Sequence, residues 1–162
     1  MYPSKIEFCH FCYSSKITKM KTTTAILPGV RRIGYLDCSK LQRRVDLHAI
    51  CMNVIPLLTD ITEVFFFNEP QCKRKTEIDG SKHMETATLE FHCDELLPIH
   101  LPLGFVVLDQ NDQYWLIGQQ EHPHPKLKVE LLCGTPDGDT AGFHYEITHT
   151  ALKTMIKCSV SF

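Results

Sequence analysis

The segment Thr86-Ala-Thr-Leu-Glu-Phe-His-Cys93 decides the fold class of this chain. Its apolar and polar residues alternate without a break, and one face carries Ala87, Leu89, Phe91 and Cys93. A period of two places successive side chains on opposite faces of a β-strand. The segment therefore predicts a half-buried strand, with an apolar face toward a core and a polar face toward water or a neighbour.

Strand signals recur along the chain. The same alternation occurs at residues 44–51, 126–131 and 143–148 and predicts further half-buried strands. Short runs rich in β-branched and aromatic residues occur at 63–67 and 104–108. Runs of the second kind are typical of more fully buried strands. With the remaining windows, the pattern predicts about nine strands between residues 32 and 160.

The clearest unit is a β-hairpin. Two apolar segments, 105–108 and 114–117, flank the polar stretch Asp109-Gln-Asn-Asp-Gln113. Asp and Asn tolerate the left-handed backbone conformations that a tight connection needs. A second turn-rich link, 134–142, contains several Gly and Asp residues. These two connections are the longest candidates for contacts with other proteins.

Helices are expected to be few and short. The best candidate, 47–58, is interrupted by Pro56, and a second short candidate is 94–97. Many short strands with turn punctuation favour an antiparallel structure over a parallel α/β sheet. We predict one all-β domain, residues 25–162: a single antiparallel β-sandwich or barrel with at most one or two short helices.

Residues 1–24 are interpreted as a leader outside the core. Its apolar residues show no sustained period, and its single acidic residue, Glu7, is outnumbered by Lys5, Lys16, Lys19 and Lys21. The polar stretch from Met20 onward resembles an ordinary chain start, so we interpret residues 1–19 as an over-extended reading frame. The alternative is an arm that orders on a partner.

Charge and cysteine content exclude several functions. The 162 residues contain 17 Lys and Arg against 19 Asp and Glu, a formal net charge of −2. This balance gives no electrostatic drive toward nucleic acid or anionic lipid, and no segment has the length of a membrane helix. The eight cysteines, with no secretion signal before them, predict reduced thiols in a cytoplasmic protein. Most are expected to be buried, as in the apolar runs 49–51 and 131–133.

His122 and His124 are the strongest candidate metal ligands. Two histidines at this spacing on an extended segment point the same way, as in zinc or copper sites of β-proteins. The candidates for a third ligand are Glu121 and His100. We favour a proline-stiffened loop, because spacing fixes no third ligand and proline cannot donate to a strand ladder.

Other motifs are incomplete. Cys9 and Cys12 have zinc-knuckle spacing without a second pair, and Asp137-Gly-Asp139 lacks the further ligands of a calcium loop. The basic clusters 31–32, 43–44 and 73–75 are interpreted as solvated faces or as contacts for an acidic partner. No nucleophile or phosphate-loop motif is present. We therefore predict a protein that is not an enzyme, with no catalytic, cofactor-binding or metal-binding residue.

The second half of the chain resembles small β-rich structural proteins of tailed phages and prophages. The resemblance is carried by Gly104-Phe-Val-Val-Leu-Asp109, Tyr114-Trp-Leu-Ile-Gly118, Glu121-His-Pro-His-Pro125, Gly134-Thr-Pro-Asp-Gly-Asp139 and the alternating segment 143–150. It implies a component of the tail or head–tail junction that assembles into rings or stacked tubes. Its partners would be other virion proteins or copies of itself. Its location would be the cytoplasm during assembly and then the virion.

Two alternatives remain open from the sequence. A ligand-binding β-sandwich, such as a carbohydrate-binding module, would use Tyr114 or Trp115, which are adjacent and face opposite ways, so that one is core and the other free. A metal-dependent enzyme of barrel type would use His122 and His124. Both rivals have fewer supporting residues than the structural role.

Overall fold

The computed structural model of the protein describes residues 23–26, 29–138 and 141–160. These residues form eleven β-strands and a single α-helix. The strands are β1 (Thr23–Ile26), β2 (Val30–Asp37), β3 (Ile55–Leu57), β4 (Thr62–Val64), β5 (Phe66–Asp79), β6 (Lys82–Cys93), β7 (Leu103–Asp109), β8 (Tyr114–Ile117), β9 (Lys126–Leu132), β10 (Gly142–Ala151) and β11 (Met155–Val160). The helix is α1 (Val45–Cys51), and a 3₁₀ turn covers Cys38–Lys40.

The strands are arranged in two sheets. The first sheet has the order β1-β5-β6-β10-β9 and the second has the order β3-β11-β8-β7-β2-β4. The prediction of a mostly β protein with very little helix is confirmed, and so is the hairpin formed by β7 and β8. The alternative of a closed barrel is wrong for the described strands, which also exceed the expected nine. The pairing of β3 with β11 is parallel, unlike the others.

The main core lies between the two sheets. The segment 86–93 behaves as its alternation predicts, since its apolar side chains are buried in β6 while the polar ones between them stay partly exposed. Phe91 stacks on Tyr145 of β10 with ring centroids 5.3 Å apart. The second sheet contributes inward-facing side chains that include Ile33, Phe105, Val107 and Ile117. Burial of this apolar surface is the main term that stabilises the fold.

A smaller core covers the opposite face of the second sheet. Leu36, Val106, Leu116 and Ile156 alternate along their strands with residues of the main core. Cys38 of the 3₁₀ turn, Leu41 just after it and Val45 of α1 pack over them. The second sheet is therefore buried on both faces, which explains why every residue of β7 is buried.

The strand predicted at 44–51 is wrong, because most of this segment forms helix α1. Val45 and Ala49, four residues apart, lie on the helix face toward the smaller core, whereas Leu47 and Ile50 are exposed. The alternation therefore does not reflect burial on one strand face. The helix ends at Cys51, so the candidate 47–58 is too long, and the other candidate, 94–97, is not helical.

The single strand predicted at 63–67 is divided in two. β4 ends at Val64 in the second sheet and β5 begins at Phe66 in the first, with Phe65 72% exposed between them. The chain thus crosses between sheets at this point. β5 and β6 then form a long hairpin, which a register shift between Phe67 and Gln71 interrupts.

Two predictions concern residues at the margins of the fold. Residues 1–22, including Cys9 and Cys12, lie outside the described residues, and β1 spans the predicted boundary between residues 24 and 25. The described cysteines are free thiols, of which Cys38, Cys72, Cys93 and Cys158 are buried. The two examples expected to be buried, Cys51 and Cys133, are exposed instead, because α1 and the end of β9 turn them outward.

Candidate functional site

Among the described residues, the outer edge of β9 combines an unpaired strand edge with exposed apolar side chains. β9 ends the first sheet and pairs with β10 alone among the described strands. Its last residues are apolar and open, since Leu131 is 65% and Leu132 36% exposed. An unpaired strand edge presents backbone donors and acceptors to any partner strand. Apolar side chains beside such an edge make it a candidate for strand addition.

Charges of both signs alternate along the polar face of β9. Lys128 lies between Glu130 of the same strand and Glu146 of β10, with Nζ to Oε distances of 3.3 and 3.4 Å. Hydrogen bonds to these two carboxylates raise the pKa of Lys128. The lysine is well exposed, so this ion pairing contributes little to folding stability.

An open cleft lies at the carboxyl end of β9. Its volume is about 670 Å³, and its lining includes Phe67, Leu131 and Leu132. His92 also lines the cleft, and its ring stacks on His144 of β10 with centroids 4.5 Å apart. Burial, followed by the neighbouring His144, lowers the pKa of His92. The cleft therefore joins the apolar end of β9 to a pair of stacked imidazole rings.

His122 and His124 lie together, with ring centroids 4.3 Å apart. The expected third ligands do not complete a metal site. The carboxylate of Glu121 accepts a hydrogen bond from the backbone N–H of Arg44 at 3.0 Å, and Nδ1 of His124 is 3.2 Å from the carbonyl oxygen of Gln119. Across the described ranges, no group of three His, Cys, Asp or Glu residues is arranged to hold a metal ion.

A third histidine, His149, is buried near this pair. Its side chain is 1% exposed, and neither ring nitrogen has a hydrogen-bond partner among the described residues. Burial, with a smaller contribution from His124, lowers the pKa of His149 from 6.5 to about 4. The available sequence signal for His149 is its position, because it continues the inward-facing series of Tyr145 and Ile147 along β10.

The structure differs from the prediction that one of Tyr114 and Trp115 is a core ring and the other is free. Both are half-buried: Tyr114 packs against the smaller core and Trp115 against the main core. The indole N–H of Trp115 donates to Oδ2 of Asp109 at 2.9 Å, and Nζ of Lys157 lies 5.6 Å from the ring centroid. Neither ring is fully free, although Trp115 also lines a cleft.

Side-chain contacts hold the first of the two predicted contact loops, whereas the described part of the second is largely exposed. The tip at 109–113 is fixed by the carboxylate of Asp109 and by an ion pair between Arg31 and Asp112. In the second loop, residues 133–138 are all exposed, while Asp139 and Thr140 lie outside the described residues. The structure therefore leaves the calcium-loop motif of Asp137 and Asp139 untested.

The basic clusters are largely neutralised by nearby carboxylates. Arg32 makes a two-pronged ion pair with Glu63, at 2.6 and 2.7 Å, which raises the pKa of Arg32. Lys73 and Lys75 lie beside Glu90 and Glu77. These pairs fit the interpretation of solvated faces.

No helix in the described ranges has the length and apolar character needed to cross a membrane. Comparison with known proteins adds no identity, since no family model, curated protein or solved structure matches the chain.

Proposed function

We propose that this protein is a non-enzymatic structural protein of a tailed phage or prophage, at the tail or head–tail junction. It acts as a β-sandwich that associates with copies of itself and with other virion proteins. The sequence resemblance supports the phage context, and the open edge of β9 supports the mode of action. The protein would assemble in the cytoplasm and remain in the virion.

The observation that carries the self-association is the order of residues along β9. When two copies pair antiparallel with Val129 opposite Val129, Lys128 of each copy lies opposite Glu130 of the other. On the apolar face, Leu127 lies opposite Leu131, which is 65% exposed in the single chain. Opposite charges and apolar side chains at directly facing positions each stabilise a strand pair by roughly 0.2–1 kcal/mol. The same register thus places favourable side-chain pairs on both faces of the strand.

The lysines of β9 also discourage other pairings. Lysine on an edge strand is a common protection against indiscriminate edge-to-edge association. Pairing at Lys128 is favourable only when an acidic residue lies opposite it. In the pairing centred on Val129, that residue is Glu130 of the other copy. We therefore expect a two-fold symmetric dimer that joins two five-stranded sheets into one. Larger rings or tubes would use a second, different contact.

The test is a pair of charge exchanges. Lys128→Glu places a second carboxylate opposite Glu130 of the other copy, so the dimer should weaken by about tenfold or more. The double variant Lys128→Glu with Glu130→Lys restores opposite charges and should restore the dimer. Light scattering over a concentration series, after size-exclusion chromatography, measures both. Lys82→Glu, the same charge change in the β5–β6 hairpin, is the matched control.

Folding stability is measured in parallel to separate the two effects of Lys128. The contact between Lys128 and Glu146 within the chain is lost in both variants. A rescue of the dimer without a rescue of the melting temperature therefore assigns the effect to the interface. A strict monomer at every concentration, or equal dimerisation of all four proteins, would contradict the proposed pairing. Neighbouring terminase, portal or tail-tube genes would test the phage context separately.

A further inference from the structure

Three positively charged residues line one cleft of the fold. Its volume is about 360 Å³. Arg74 of β5 comes from the first sheet, Lys157 from β11 in the second, and Lys153 from the turn before β11. Asn53 adds a polar side chain and Trp115 an aromatic ring to the lining, and no Asp or Glu is among the described residues that line the cleft.

Strand alternation decides the direction in which Arg74 points. Its neighbours Lys73 and Lys75 point to the polar outer face of β5, where they meet carboxylates. Arg74 points to the opposite face and is half-buried, and it has no ion-pair partner among the described residues. An arginine that lines a cleft and has no counter-charge there favours the binding of an anion.

The other two cations differ in their surroundings. Lys153 is half-buried and, within the part of the chain that the structure describes, has no carboxylate partner. Lys157 lies over the ring of Trp115 and contributes to lowering the pKa of Asp109, whose carboxylate binds the indole N–H. Asp109 therefore offsets part of the charge of Lys157. Arg74 and Lys153 leave a net positive charge in the cleft.

We propose that this cleft binds the phosphate group of a small molecule, with Arg74 and Lys153 as the principal contacts and Lys157 as the third. Cations from three separate elements line the space and no carboxylate among the described residues does, so the cleft favours a group that carries more than one negative charge. Arginine pairs with phosphate through two parallel N–H donors, and lysine adds a point charge. The site is independent of the dimer contact at β9.

Trp115 provides a direct readout, because it is the single tryptophan of the chain and lines the cleft. The full chain is titrated with inorganic phosphate, and separately with glycerol phosphate, while sodium chloride keeps the ionic strength constant. We expect a saturable change in tryptophan fluorescence and a rise in melting temperature. Tighter binding of glycerol phosphate would identify an organic ester as the ligand class, and tighter binding of inorganic phosphate the free ion.

Charge-neutral variants locate the site. Arg74→Gln and Lys153→Gln should each weaken phosphate binding by about tenfold or more. Lys82→Gln removes an exposed lysine outside the cleft and should bind phosphate as the unmodified chain does. Circular dichroism establishes that each variant is folded. A fluorescence response that does not saturate, or equal affinities for Arg74→Gln, Lys153→Gln and Lys82→Gln, would overturn the proposal.

Discussion

Replacing His149 by leucine is expected to raise the free energy of unfolding and to remove much of the protein's acid sensitivity. The imidazole is 1% exposed, and its two nitrogens have no partner among the described residues. A buried polar group without a hydrogen bond costs about 1–3 kcal/mol. Leucine has a similar volume and carries no polar atom, so it relieves this cost with little loss of packing.

The acid sensitivity follows from the pKa of His149. Burial lowers that pKa from 6.5, the value expected for the unfolded chain, to about 4 in the folded protein. Between these values the unfolded chain binds a proton that the folded protein does not, so stability falls as the pH falls from 6.5 to 4. Below that window this group causes no further loss. The whole effect amounts to roughly 3 kcal/mol.

Denaturant unfolding at about pH 7 and about pH 4.5 measures this effect for the unmodified chain and for His149→Leu. The difference between the two proteins should grow toward low pH. His100→Asn serves as the control, since His100 is an exposed histidine. Parallel dependence on pH in the unmodified chain and in His149→Leu would refute the assignment.

The alternation in the sequence predicts the strands well, and it predicts burial best in β6, since Leu131 of β9 lies on the apolar phase but is 65% exposed. The segments 86–93, 126–131 and 143–148 fall within β6, β9 and β10 of the first sheet, which has one face on the core and one toward water. The segment 44–51 shows the same alternation but covers the smaller core as helix α1. Only tertiary packing decides which residues of such a short segment are buried, so its periodicity alone is misleading.

The candidate sites are harder to predict from the sequence than the strands are. Residues 126–131 are correctly predicted as a strand, but strand order decides that β9 lies at an edge. The two lysines of β9 are the available signal, because lysine is frequent on edge strands. Arg74 falls in a basic cluster with its two neighbours. Alternation could have separated it from them, whereas its position in one cleft with Lys153 and Lys157 depends on the packing of two sheets.

Asp109 connects the predicted hairpin to the cleft that Arg74, Lys153 and Trp115 line. Its side chain is almost fully buried, and its carboxylate accepts hydrogen bonds from the backbone N–H groups of Asn111 and Gln113, at 2.8 and 3.0 Å, and from the indole of Trp115. Burial alone would raise the pKa of Asp109, but these hydrogen bonds, with a contribution from Lys157, lower it overall. The group is therefore ionised at neutral pH, where it fixes both the turn and the ring of Trp115.

Asp109→Ala is consequently expected to destabilise the fold by about 3–5 kcal/mol, because it leaves three donors without their acceptor. Asp109→Asn keeps an acceptor oxygen and should lose less. Denaturant unfolding followed by circular dichroism measures the change independently of Trp115. Asp112→Ala, at the same hairpin tip, is the matched control, since Asp112 is exposed and its ion pair with Arg31 lies at the surface. A loss for Asp109→Ala no greater than that for Asp112→Ala would show that the buried carboxylate does not hold the hairpin, and the positioning of Trp115 in the cleft would need another cause.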